Sequence, residues 1–575
     1  MLRVRTMIKI LSSISIVIVG ILLPLQELYA QQIPIGDIKE EQIKIEQLRS
    51  GSKFSSFTNR SLWMGIYHQT MEHADSPYGW WNRPIETTTA EFADFFTVGF
   101  YEPNIKITNN SMVPYGENND AAWYGRGMNN ELTGGFWITS DYLTVTFRPQ
   151  LVYQQNRDFE IPRFIPGSQT GDPEFVAEGI GNIIDQPFRF GQNSFDTSSM
   201  GYSSIRVHYN AFEAGFSTEP LWWGGNVKYP LVMSNNAPGM KHLFLGTRKP
   251  FNIPYVGSLE FKWVLGFPQD SEFFRAEDEF MQDRFMNAIN ISYSPAFLPN
   301  FHIGITRALH TYIDEGGLTR EDLSMILDPL LLENFIEARG PLAINKPRNH
   351  LNSLYARWVW PESNIEIYGE FFRDDFSWDS RDLLMQPRHN SGYAFGLQKL
   401  FDAPLAEFFR VNLEFTNMTP SFIEEVRPQN FYYTDVDIPQ GHTNRGQLLG
   451  AAIGPGSNSQ FLSIDGYTKN GRIGVFARRL ADNNHFHFRF DRELNRPEEF
   501  RQGFGDYWRN RTDLTLGARF LHMFDHITLQ GEVSWTKLFN YGRFDYGQFG
   551  GTTIANFDPY DIENLQVQLS VSYRF

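Results

Sequence analysis

From about residue 88 onward, apolar and polar positions alternate with period two. Leu143, Val145, Phe147, Leu151 and Tyr153 are interleaved with Thr144, Thr146, Arg148 and Gln150. Ile205, Val207 and Tyr209 alternate with Arg206, His208 and Asn210. Leu259, Phe261, Trp263, Leu265 and Phe267 alternate with Ser258, Glu260 and Lys262. Ile527, Leu529, Val533 and Trp535 alternate with Thr528, Gln530, Glu532 and Ser534, and Leu514, Leu516, Ala518 and Phe520 repeat the pattern. In the final run Leu565, Val567, Leu569, Val571, Tyr573 and Phe575 point one way, and Gln566, Gln568, Ser570, Ser572 and Arg574 the other. Successive side chains of a strand face opposite sides, so each run predicts a strand with one oily and one wet face. Glu260, Lys262, Glu532 and Arg519 sit on the wet face. There they are tolerable in a hydrated or hydrogen-bonded lumen and costly in lipid. Pro149 predicts a ladder break inside its strand.

The apolar-out strand that stops on Phe575 resembles the closing strand of bacterial outer-membrane β-barrels, the strand such barrels present to their assembly machinery. The N-terminus agrees. Arg3, Arg5 and Lys9 precede an apolar run from Ile10 to Leu23, and Leu28-Tyr29-Ala30 offers a small residue for cleavage, so residues 1–30 read as a secretory signal peptide. No later segment is long and apolar enough to span as a helix, and without one an integral membrane protein crosses as a closed barrel. The expectation is an all-β transmembrane antiparallel barrel with an even number of strands, in the outer membrane of a Gram-negative bacterium and in contact with its lipid. Residues 31–87 are expected to form a periplasmic, partly helical segment, and 88–575 the barrel. Asp37 can N-cap a helix, Glu40 stands at the capping-box position and Gly51 follows the last turn; Ile38, Ile45 and Leu48, with Ile43 near the edge, form its apolar stripe. The long polar stretches 102–130, 155–200, 308–350, 373–392 and 417–446 read as external loops, with helical periodicity inside 318–339.

Composition narrows the chemistry. The net charge is -16, and the leader carries three of the cations and one anion, so the exported chain is more acidic still. That disfavours nucleic-acid binding. The absence of cysteine excludes disulfides, thiolate metal sites and a lipid-modified N-terminal Cys.

Several blocks resemble the Wzi-type capsule assembly family in its Bacteroidetes-like version. They are Ser55–Leu62, Asn118–Gly127 followed by Arg148-Pro149, Leu221-Trp-Trp-Gly-Gly, Ser234–Gly239, Asp382–His389 and Gly441–Gly456, in that order over nearly the whole exported chain. The chain departs from the family at Trp223-Gly224-Gly225, where Trp-Gly-Pro is usual. The resemblance implies a barrel of about 18 strands with an N-terminal helical element on its periplasmic side. It also implies a lectin-like, non-enzymatic role in attaching or organising capsular polysaccharide, with no cofactor.

Glycan binding asks for aromatic faces, planar amides and, for acidic sugars, Arg. The candidates are Trp80, Trp81, Trp222, Trp223, Asn235, Asn236, Arg126, Arg248 and Arg445. Each has a structural reading beside the functional one. The tryptophans also serve as loop anchors or girdle residues, the asparagines as turn formers, and the arginines as lumenal partners of carboxylates. Gly441–Gly456 lacks the Lys-Ser/Thr ending and the strand-to-helix context of a phosphate loop. His485 and His487 share a strand face without an evident third ligand. Glu366, Glu370 and Asp374 share a face, and lining a lumen is the simplest account of them. A diffusion channel and a surface glycan hydrolase are the alternative functions.

Overall fold

The computed structural model describes residues 31–74, 81, 89–92, 95–161, 184–274, 281–340, 346–403, 406–420, 432–482, 511–541 and 561–575. The signal-peptide reading, Trp80, His485 and His487 lie outside these residues. One antiparallel sheet of 22 hydrogen-bonded segments closes on itself. Three pairs of segments join across a break and Thr89–Phe92 is a short extra edge piece, which leaves 18 wall strands. The wall runs from β1 (Phe96–Asn110) to β18 (Ile562–Tyr573), and the seam between them is paired from Gln566↔Asn110 to Ser572↔Asn104. The ladder break predicted at Pro149 is present, separating Leu143–Phe147 from Gln150–Gln154 within β3.

The alternation places the side chains as expected. Leu565, Val567, Leu569, Val571, Tyr573 and Phe575 are exposed on the outer face, and Gln566 is buried. Connections at the end that carries Phe575 are short, as between β16 (Thr512–Met523) and β17 (Ile527–Phe539). Those at the other end are long, so the short-turn end is periplasmic. The polar stretches differ from the expectation at their edges. Residues 102–110 continue β1, and 308–312 continue β9 (Phe301–Tyr312). Polar composition alone does not separate an inward-facing strand from a loop.

The larger departure is where the loops go. Instead of standing outside, residues 218–240 and 432–456 fold into the lumen and form its main apolar core, with Trp223, Leu231, Val232, Tyr433 and Leu448 fully buried. Inward carboxylates of the wall catch this loop by its backbone. Glu414 of β13 (Ala406–Asn417) accepts from the amides of Val227, Lys228 and Tyr229 at 2.8–3.0 Å and from the Tyr368 hydroxyl at 2.7 Å. Glu370 of β11 (Ile365–Asp374) accepts from the amide of Leu231 at 3.0 Å and the side-chain amide of Asn226 at 2.7 Å. Near β5 (Phe212–Ser217), Glu219 is gripped by Arg206 at 2.7 Å and Lys262 at 3.4 Å. Burial alone would raise its carboxyl, but these two cations hold it well below the usual range.

The periplasmic mouth is filled by the N-terminal segment. Helix α1 (Ile38–Ser50) forms where expected, with Asp37 capping the Lys39 amide and Gly51 ending the helix at φ 94°. Glu40 reaches the Gly36 amide rather than closing the box on Asp37. The apolar stripe is split between two cores: Ile45 and Leu48 pack with Trp81, Phe408 and Tyr467, while Ile43 packs with the second helix α2 (Met64–Glu72). The sequence reading missed α2, because its mixed composition shows no clear stripe. On its wet face α1 plugs into the wall. Lys44 meets Glu366 at 2.8 Å, Arg357 meets the same carboxylate at 2.7 Å, and Glu41 meets Arg410 at 2.8 Å and Arg472 at 3.0 Å. The segment then runs inward, and Asn59-Arg60 pairs as a two-residue ladder with Trp222-Trp223 of the external loop. The two fillings therefore touch inside the lumen.

Glu366→Gln leaves the buried Arg357 cation and the Lys44 amine without their carboxylate and costs about 3–5 kcal/mol; urea unfolding of the refolded barrel together with protease access to the N-terminal segment reads this, and unchanged values reject the plug contact. Burial, with Arg357 adding to it, pushes Lys44 down to about 7 although Glu366 opposes them. A lysine whose folded pKa is depressed leaves the unfolded chain holding more protons between that value and its ordinary pKa, so stability rises with pH there. The thermal stability of the wild type relative to Lys44→Met is therefore expected to increase from pH 7 to pH 9.

Candidate functional site

The short motif Asn118-Asn119-Asp120 makes a sharp reversal in the first external loop, with Asn118 and Asp120 at φ 56° and 55°. Asn tolerates that region better than most residues, and here neighbouring loops hold it. The Asp120 amide donates to the Asn235 carbonyl at 2.8 Å, and the Asn235 side chain donates to the Asn118 carbonyl at 3.1 Å. The Asn118 amide donates to the Asn236 side chain at 3.3 Å, and Asn236 in turn donates to the Leu448 carbonyl at 3.2 Å. Gln447 returns to the Asn236 carbonyl at 2.8 Å, while Ser234 donates to the Gly450 carbonyl at 2.5 Å. Three loops far apart in sequence thus knit one septum across the lumen. Asn and Ser suit this work because a short amide or hydroxyl satisfies a buried backbone group without bulk.

A cavity lies on each side of the septum, and Asn118 and Asn119 line both. The inner one, of about 290 Å³, runs along the β1–β18 seam to the periplasmic mouth past Tyr101, Lys106, Glu131 and Arg148. Asp120 projects toward it, and burial, reinforced by Glu131, pushes its carboxyl up to about 7. The outer one is a groove of about 230 Å³ bounded by external loops. Its aromatic walls are Trp123, Tyr115, Phe159, Phe188 and Tyr541. Trp123 is half-buried and braced by Phe190, with ring centroids 5.2 Å apart, so one indole face is held in place. Asn119, Asn236, Gln186 and Gln447 supply amides. Arg511 is fixed at one rim by Asp482 and Asp513, both at 2.8 Å, and lies 5.1 Å over the Tyr541 ring. Held aromatic faces beside planar amides and a fixed guanidinium are the parts that bind sugar C–H faces, hydroxyls and acid groups.

The sequence candidates divide around this groove. Asn235 and Asn236 belong to the septum, and Asn236 lines the groove itself. Arg126 donates to the Ser111 carbonyl at 3.1 Å and to that of Asp158, and Arg445 to the Ser198 carbonyl at 3.2 Å; both brace external loops. Four others lie away from the groove. Trp81 is buried at the periplasmic mouth, donating to the Thr468 carbonyl at 3.0 Å. Trp222 donates to the Asn226 carbonyl at 3.1 Å beneath the Arg60 guanidinium, and Trp223 is fully buried in the lumen core. Arg248 packs over Trp63 of the N-terminal segment at 4.6 Å and donates to the Asn210 carbonyl at 2.8 Å. In these places the four side chains fill space. Tryptophans that stand in pairs are conspicuous in the sequence, whereas Trp123 and Tyr115 stand singly in the Asn-rich block. The signal that finds them is an aromatic residue flanked by turn-forming amides. Among the described residues no group of three or more His, Asp or Glu side chains is arranged to hold a metal ion.

Two solved structures are similar to this chain to different degrees. One is Wzi from Escherichia coli, described as an outer membrane protein involved in group 1 capsule assembly and as a carbohydrate-binding β-barrel. It is 11% identical, with a TM-score of 0.56 over 95% of this chain and 100% of that one. Another is the outer membrane protein OprD from Pseudomonas aeruginosa, 7% identical with a TM-score of 0.33 over 82% of this chain and 92% of that one. The likeness to Wzi concerns the fold alone. No curated protein sequence matches the chain. The sequence model of the family described as capsule assembly protein Wzi matches residues 104–540, which spans the barrel from β1 to the end of β17, and the chain belongs to that family.

Proposed function

We propose that this outer-membrane barrel is a lectin-like, non-enzymatic protein that holds capsular polysaccharide at the cell surface through the outer groove. The observation that carries this reading is the position of the groove: fixed aromatic faces and amides open outward above a lumen that loops fill from both ends. The groove is smaller than the ~300–1,000 Å³ of a typical enclosed ligand site. That suits a grip on a short stretch of an extended polymer. In this reading residues 31–87 are the periplasmic plug segment and 88–575 the wall with its loops. The outer face meets membrane lipid, and the strand ending at Phe575 is the one the barrel assembly machinery receives. Asn235 and Asn236 act from the septum, with Arg126 and Arg445 supporting the rim.

The filled lumen counts against a diffusion channel. In planar bilayers the protein is expected to show no stable large open state, and a porin-like conductance would overturn that part. For binding, Trp123→Ala is expected to weaken affinity for the host's own capsular glycan by about 1–2 kcal/mol, roughly tenfold. Unchanged affinity in a variant that keeps the heat-modifiable mobility of a folded barrel would remove Trp123 from the site. In a deletion strain the polysaccharide is expected to be made but shed into the medium; an unchanged capsule would end the attachment reading.

A further inference from the structure

The wall's apolar outer face is not of uniform height. A strand rises about 3.3 Å per residue and is tilted about 40°, so it climbs roughly 2.5 Å per residue along the membrane normal. On β18 the exposed apolar residues run from Phe575 to Leu565, which is about 25 Å and fills the usual hydrocarbon band of ~25 Å. On β9 the outward positions are Phe301, Ile303 and Ile305, and then Arg307. Arg307 stands only about 15 Å above Phe301, still inside the band. The register continues the polar step around the wall: Arg307 is opposite Asn352, and Asn352 is opposite Arg373. Asn287 and His350, one row higher, also face outward by alternation and are completely buried. Bare arginine and asparagine at this depth would be costly, so something covers them.

The cover is the external loop that follows β9. Its helix α3 (Arg320–Ser324) and the turn Met325–Leu327 lie on the outside of the wall. Arg307 donates to the Ile326 carbonyl at 2.9 Å and to that of Asp328, and Asn287 donates to the carbonyls of Asp322 and Leu323 at 3.1 and 3.0 Å. Met325 packs with Phe285 and Leu309. The next helix α4 (Leu332–Arg339) is tied to the loop after β11: the Leu332 amide donates to the Ser377 carbonyl and the Glu333 amide to that of Trp378, both at 2.8 Å. Phe376 from that loop closes over His350, with ring centroids 3.7 Å apart. The side chains turned away from the wall mix charged residues, among them Glu321, Glu333, Arg381 and Arg388, with large apolar ones. Leu327 is 81% exposed and Leu384 80%, with Leu330, Trp378 and Met385 at least half exposed. Singly such residues need no explanation, but together on two tied loops they form a patch.

We propose that these two loops form a collar seated in the outer leaflet, where their exposed leucines replace the missing upper half of the apolar band. The occupant is the boundary between lipid acyl chains and headgroups. Two facts argue for it: the polar wall beneath lies within the hydrocarbon height, and the patch continues the exposed apolar surface of Ile303, Ile305, Leu354 and Phe371. An amphipathic element of this kind lies in the interface and does not cross it.

The chain has no cysteine, so one introduced residue is a unique labelling site. Leu327→Cys and Leu384→Cys are made in the full-length protein, spin-labelled, and reconstituted in phosphatidylcholine vesicles. Ile464→Cys on the wall serves as the membrane reference and Val436→Cys, 82% exposed where the 432–456 loop stands clear of the lumen core, as the aqueous one. Heat-modifiable mobility checks each barrel's fold. The ratio of relaxation by oxygen to relaxation by a water-soluble nickel chelate reads depth. The collar labels are expected to fall on the Ile464 side of the midpoint between the references. Values that coincide with Val436 would overturn the proposal. So would dipolar broadening between labels on separate molecules, which would show a second copy of the chain as the occupant.

Discussion

Everything inside this barrel depends on how a carboxylate is satisfied once water is excluded. An ionised group buried away from water is untenable alone, so each buried inward Glu or Asp of the wall must be given donors. Glu414 solves this with three consecutive backbone amides and a tyrosine hydroxyl, Glu370 with an amide and an asparagine, and Glu366 with a lysine and an arginine. In each case the donors belong wholly or partly to the filling, so the demand of the wall fixes the path of the loop. The consecutive amides of 227–229 point one way because a single acceptor is there to receive them, as in anion-binding nests elsewhere.

The same constraint bears on most of the blocks in which the sequence resembles the family. The wall strands need only alternation, and many sequences provide that. The blocks at Ser55–Leu62, Asn118–Gly127, Leu221–Gly225, Ser234–Gly239 and Gly441–Gly456 meet one another in the lumen, through the Arg60–Trp222 ladder and the septum around Asn118 and Asn235. There, shape and hydrogen bonding are specified atom by atom.

This also accounts for what could be read in advance. The barrel, the outward face of the closing strand, the break at Pro149 and the helix capped by Asp37 were legible, because each follows from local chemistry and a fixed period. The inward path of residues 218–240 was not. A buried Asn that serves a neighbour's carbonyl and an exposed Asn in a turn have the same composition around them, and only the distant partner separates the cases. Of the residues that line the groove, Asn236 is conspicuous in the sequence, while Trp123 and Tyr115 are not, since their faces acquire meaning from Phe190, Phe159 and Arg511, which arrive from other loops. The collar left one readable trace, an arginine at position 307 where the outward alternation of β9 calls for an apolar residue.

The two-residue ladder between Asn59-Arg60 and Trp222-Trp223 has a mechanical meaning. A hollow tube of 18 staves resists lengthwise load well and ovalises easily under a sideways one. Here a strut runs from the periplasmic mouth to the external loops, with spokes to the wall at Glu366, Glu370 and Glu414. A pull applied at the outer groove would load the septum first, then the strut, then many staves at once, so tension at one rim is shared around the hoop before any single strand has to yield.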